Sequence, residues 1–178
     1  PGTGDGGGFD TARSIKRSYP ATPMVILTPF SHGITRRIMG EDLTPFDYVF
    51  CWLGNTDLLL SIIKLIEDKM NLEHDVKEVG VQLILLVEDS IRFYSSTLPN
   101  LYKFVLKQSQ EFSTEALNGH QRTLRMRGRP KIVLARTYEE AITIYNRYKD
   151  NTLGVITDVR FPLVEGGEKD GLAGIKLI

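Results

Sequence analysis

Apolar residues in this chain gather in short solid runs that alternate with stretches of three-four spacing. The run Gln82-Leu83-Ile84-Leu85-Leu86-Val87 is too apolar for a strand with one wet face, and Leu153-Gly154-Val155-Ile156-Thr157 is nearly as apolar. Both read as central strands of a parallel sheet covered by helices on two faces. Between them, Ser90 to about Arg127 reads as a long helix, interrupted or kinked near Pro99 and closed by Pro130. Lys131–Ala135 then gives a strand. Tyr138–Lys149 gives a helix with Ala141, Ile142, Tyr145 and Tyr148 inward, entered through Thr137 with Glu140 at capping-box spacing.

The earlier part of the chain repeats the alternation. Phe9–Ser18 predicts a short helix stopped by Tyr19-Pro20, Met24–Thr28 a buried strand, and Ser31–Met39 a weak basic helix or loop. Asp47–Cys51 makes another strand. Asn55-Thr56-Asp57 caps an amphipathic helix with Leu58, Leu59, Ile62, Ile63, Leu65 and Ile66 at helical spacing, running to about Met70. The polar stretch Asn71–Glu78 reads as linker, and a last helix begins near Ala173. Such an order predicts an α/β fold with a doubly wound parallel sheet.

Candidate chemistry lies where strands end. Glu88 and Asp89 follow one apolar run and Asp158 follows another, so three carboxylates fall at the carboxyl edge where open α/β sheets gather ligands. Hard oxygen donors of this kind suit Mg²⁺ and phosphate chemistry. The bland alternative is that Asp89 or Ser90 simply caps the following helix.

Composition narrows the classes. The 178 residues are 42% hydrophobic and 25% charged, the balance of an ordinary globular chain. Lys plus Arg and Asp plus Glu both total 22, so no global field recruits nucleic acid or a membrane surface. The single cysteine, Cys51, fits a reducing cytoplasm. No apolar stretch approaches a bilayer span. The opening, Pro1 to Gly8, reads as a loop that has been cut, and lacks the strand and the Lys-Ser or Lys-Thr of a nucleotide-binding loop. Arg122, Arg125, Arg127, Arg129 and Lys131 form a basic run expected to be a solvated face or partner contact. His32, His74 and His120 lack ligand spacing.

Leu85-Leu86-Val87-Glu88-Asp89-Ser90 resembles the first strand of a response-regulator receiver (CheY-like) domain, and Val155-Ile156-Thr157-Asp158 resembles its third, ending in the phosphoacceptor aspartate. Pro23 to Thr28 resembles the fourth strand with its switch hydroxyl, Thr28, and Asp47 to Trp52 the fifth. Cys51, however, fills the position of the family lysine. By this resemblance, residues 1–70 are the back half of one receiver-like module, 71–81 a linker, and 82–178 the front half of a second with an extended first helix. More loosely, that helix and Arg125-Met126-Arg127-Gly128-Arg129-Pro130 are similar to receiver-like regions of proteins with phosphoenolpyruvate synthase or pyruvate phosphate dikinase-like domains. No dikinase active-site residue is visible.

The resemblance implies a flavodoxin-like five-stranded sheet of order 2-1-3-4-5, closed within one chain as a circular permutant or between two chains as a swapped homodimer. It also implies Mg²⁺ held by Glu88, Asp89, Asp158 and the backbone carbonyl of Arg160. Phosphoryl transfer to Asp158 would come from a histidine kinase or phosphotransfer protein. Two classes remain open at this point: a phosphorylated signalling receiver whose output lies elsewhere, or a pseudo-receiver serving as an interaction module, which Cys51 favours. A separate Mg²⁺ phosphatase is disfavoured, because Asp158-Val159-Arg160 lacks a second aspartate two positions on.

Overall fold

The computed structural model describes residues 6–29, 40, 42–114 and 128–178, and in them the solid apolar runs become parallel strands. Contacts divide the chain into two compact units, 1–55 and 56–178. The boundary precedes the amphipathic helix at Asp57.

In the first unit, helix α1 (Gly6–Ser18) leads to strands β1 (Val25–Pro29) and β2 (Tyr48–Trp52), which pair in parallel with Thr28 opposite Cys51. Asp47 ties this unit together. One of its carboxylate oxygens accepts from the Met24 amide at 2.9 Å and from Lys16 of α1 at 3.1 Å. Phe9 meets Phe46 edge-on at 5.6 Å between centroids. The expected element over Ser31–Met39 lies outside the described residues.

The second unit is a three-stranded parallel sheet of order β4-β3-β5, made by β3 (Leu83–Val87), β4 (Lys131–Ala135) and β5 (Thr152–Thr157). Strand β3 is central, as its sequence requires. By contrast β5 is an edge strand, and Leu153, Val155 and Ile156 are exposed on it rather than covered on both faces. A third, antiparallel pair, β6 (Phe161–Pro162) with β7 (Lys169–Asp170), turns the expected loop after β5 into a small hairpin.

Helix α2 extends from Asp57 to Lys77, beyond the expected end at Met70 and through the stretch expected as linker. The reason is visible in its buried stripe, Leu58, Ser61, Leu65, Asp68, Leu72 and Val76, which keeps helical spacing to the last turn. Gly80, at φ +76°, then reverses the chain in a left-handed conformation that glycine adopts without penalty. Thr56 precedes α2 without a side-chain capping bond. Helix α3 (Ile91–Thr114) passes through Pro99 without ending, and its expected continuation to Arg127 lies outside the described residues.

Helix α4 (Tyr138–Tyr148) is capped as its sequence predicts. Thr137 Oγ1 accepts from the Glu140 amide at 3.1 Å, while Glu140 reaches back to the Arg136 amide at 2.8 Å. Its inward face carries Ala141, Ile144 and Tyr148, whereas Tyr145 is exposed. The final helix, α5 (Ala173–Leu177), begins where expected. One core cluster joins Leu85, Val87, Ala135, Ala141, Phe161 and Ala173, and a second joins Leu72, Val76, Leu83, Val133 and Tyr148.

Two members of the basic run are not solvated. Arg129 and Lys131 are buried, and Arg129 forks onto Asp68 of α2 at 2.6 and 3.0 Å. Asp68 also accepts from Tyr102 Oη at 2.9 Å and the Ile132 amide at 3.0 Å, and Lys131 pairs with Asp75 at 2.5 Å. Arg122, Arg125 and Arg127 lie outside the described residues. Among the described residues no helix is long and apolar enough to cross a membrane.

Candidate metal centre

Adjacent parallel strands in register carry their following residues to the same edge, and β3 and β5 do this with Val87 opposite Thr157. Backbone pairing continues one residue further: the Asp158 amide donates to Val87 O and the Glu88 amide to Ala135 O, each at 3.0 Å. Glu88, Asp89 and Asp158 therefore converge, each offering an oxygen within 4.8 Å of those of the other two. Opposite oxygens of an octahedral Mg²⁺ shell stand about 4 Å apart, so this spacing fits one ion reached partly through water.

Each carboxylate is held by one oxygen. Glu88 Oε1 accepts from the Ser90 amide at 2.9 Å, Asp158 Oδ1 from the Val159 amide at 2.6 Å, and Asp89 Oδ2 pairs with Lys169 Nζ at 2.6 Å. The other oxygen of Asp89, Oδ1, is buried without a hydrogen-bond partner among the described residues. An acceptor withdrawn from water and left unpaired costs free energy, and a cation is a chemically suitable partner. Partial burial pushes the Glu88 carboxyl above its ordinary value. The Ser90 amide and Lys169 oppose that rise, and the neighbouring charges of Asp158 and Asp89 reinforce it. A divalent ion bound there would reverse the repulsion that raises it.

The remaining expected site residues are placed as follows. Arg160 lies on the exposed loop between β5 and β6, two positions past Asp158. Thr28 and Cys51 are buried neighbours on β1 and β2 in the first unit, 2% exposed each, and the Thr28 hydroxyl donates to Pro29 O at 3.2 Å. Phe50 is fully buried in β2. His74 is exposed beside Asp75, while His32 and His120 lie outside the described residues.

Two residues of the centre escape a reading by motif. Lys169 reaches Asp89 from β7, and its only sequence signal is a cation in the stretch after Asp158. Gly174 lets α5 press against the backbone that carries Asp158: a Cβ there would stand 2.2 Å from Asp158 O and 3.0 Å from Val159 Cα, and the Gly174 amide donates to Val159 O at 3.1 Å. Only glycine permits so close an approach.

No family model, curated protein or solved structure matches the chain.

Proposed function

We propose that this chain is a phosphoacceptor receiver module of a two-component or phosphorelay signalling protein, with Asp158 as the acceptor. The observation that carries the reading is the convergence of Glu88, Asp89 and Asp158 at the carboxyl edge of β3 and β5, with a buried Asp89 oxygen among them that has no hydrogen-bond partner among the described residues. In this reading Glu88, Asp89, Asp158 and the Arg160 carbonyl hold Mg²⁺, which neutralises charge on the phosphoryl oxygens in transit. A carboxylate oxygen of Asp158 attacks phosphorus in line. The bond from phosphorus to the donor breaks, its electron pair leaving on the imidazole of a phosphohistidine or on acetate. The donor protein is a histidine kinase or phosphotransfer protein, in a reducing cytoplasm that keeps Cys51 a thiol.

The finer fold belongs to the same proposal. Strand order β4-β3-β5 supplies the 2-1-3 part of a flavodoxin-like sheet and the pair β1-β2 supplies the 4-5 part. Joining them as 2-1-3-4-5, in one permuted chain or by exchange between two, gives the exposed edge strand β5 a neighbour. Light scattering separates the monomer from the dimer.

Cys51 favours a second reading, a non-switching interaction module, because a buried thiol cannot make the charge-assisted contact of a lysine. Acetyl phosphate and Mg²⁺ decide between them. The acceptor reading expects metal-dependent labelling that Asp158→Asn abolishes. Equal labelling of the variant, or none of either chain, leaves the interaction module.

A further inference from the structure

The acidic trio has a cation of its own. Among the described residues, the single ion pair made by Glu88, Asp89 or Asp158 is that of Asp89 with Lys169, at 2.6 Å. The lysine is delivered by the β6–β7 hairpin, where Pro162 pairs with Lys169 and Phe161 with Asp170. Phe161 is fully buried against Leu85 and Val87, so the base of the hairpin is anchored beneath the strand that carries the acidic pair. The Lys169 side chain is less confined: it is 45% exposed, on a flexible four-carbon stem.

Charge balance gives this placement a purpose. Three ionised carboxylates against one ammonium leave two negative charges, the complement of a divalent ion. Phosphorylation of Asp158 replaces a single negative charge by two, a few ångströms from Glu88 and Asp89. A divalent ion alone leaves that excess uncompensated, and the ammonium on Asp89 is a positive charge already held at the centre.

Building on the acceptor reading of Asp158, we propose that Lys169 is the oxyanion-holding residue of this centre. It rests on Asp89 while Asp158 is unmodified and passes to the phosphoryl oxygens when Asp158 carries phosphate. A hairpin lysine thereby supplies the contact that the thiol of Cys51 does not.

The test compares the full chain with Lys169→Gln and Lys169→Arg, reading Mn²⁺ affinity by electron paramagnetic resonance and beryllofluoride affinity by ¹⁹F NMR at saturating Mg²⁺. Lys169→Gln should weaken beryllofluoride binding on the order of tenfold, the loss expected for one charge-assisted hydrogen bond, with Mn²⁺ bound as well or more tightly. Lys169→Arg should restore most of the beryllofluoride affinity. Unchanged beryllofluoride binding in Lys169→Gln overturns the role of Lys169 and leaves the acceptor reading intact. So does a parallel loss of Mn²⁺ binding, which would mean that the lysine merely holds Asp89 in place. A wild-type chain that binds neither probe overturns both.

Discussion

Asp89 presents two oxygens with opposite circumstances, one paired to Lys169 and one buried without a partner among the described residues, while its neighbour Glu88 is harder to ionise than an ordinary glutamate. The sign of the pH dependence follows. Glu88 holds its proton more tightly in the folded chain than in the unfolded one, so the metal-free fold loses that contribution as pH rises through the folded value. Divalent binding requires the carboxylate, so affinity should fall as pH is lowered, beginning above the ordinary glutamate range. Isothermal titration with Mn²⁺ across pH 4 to 7, on the order of the span that brackets carboxyl ionisation, reads this directly. Glu88→Gln should flatten the profile, weaken binding, and leave the metal-free chain at least as stable at neutral pH. A profile identical in the variant would refute the linkage. The positions of these carboxylates were legible because strand ends can be read from apolar runs, and parallel register then brings them together. Lys169 was not, since its approach depends on β6 pairing with β7, and two-residue strands leave no periodic trace.

At the scale of elements, the buried ion-pair network of Asp68 with Arg129 and Lys131 joins helix α2 to strand β4. Asp68 is fully buried and receives donors from Arg129, Tyr102 and the Ile132 amide. Replacing one partner leaves the others desolvated and uncompensated. Asp68→Asn should therefore cost about 3–5 kcal/mol, measured by urea unfolding of the variant against the parent. A cost under about 1 kcal/mol, the scale of an exposed pair, would show that the network is hydrated. The sequence held one half of this arrangement: an aspartate within an apolar stripe between Leu65 and Leu72 has to find a partner. It did not hold the other half, because the basic residues that meet it are distant in the chain, and in sequence a charge run looks the same whether solvated or buried. The same stripe explains why α2 continues through Leu72 and Val76, where polar neighbours suggested a linker.

For the whole molecule, the division into 1–55 and 56–178 places the acidic trio, Lys169, Gly174 and both core clusters in the second unit. A fragment of residues 56–178 should then bind Mn²⁺ within about threefold of the full chain, as independent parts do. Thr28 and Cys51 are absent from it, so any response to phosphorylation that needs them should be lost while the metal stays. Loss of Mn²⁺ binding from a folded fragment would show that the first unit completes the centre.

By itself the sequence determined the α/β alternation, the strand ends that bear Glu88, Asp89 and Asp158, and the capping of α4, because each depends on local periodicity and near neighbours. Tertiary structure alone decided that β5 lies at a sheet edge, that Arg129 and Lys131 turn inward to Asp68 and Asp75, and that Lys169 meets Asp89. Those outcomes depend on which distant segments pack together, and on where a buried charge finds its counter-charge, which no local pattern encodes.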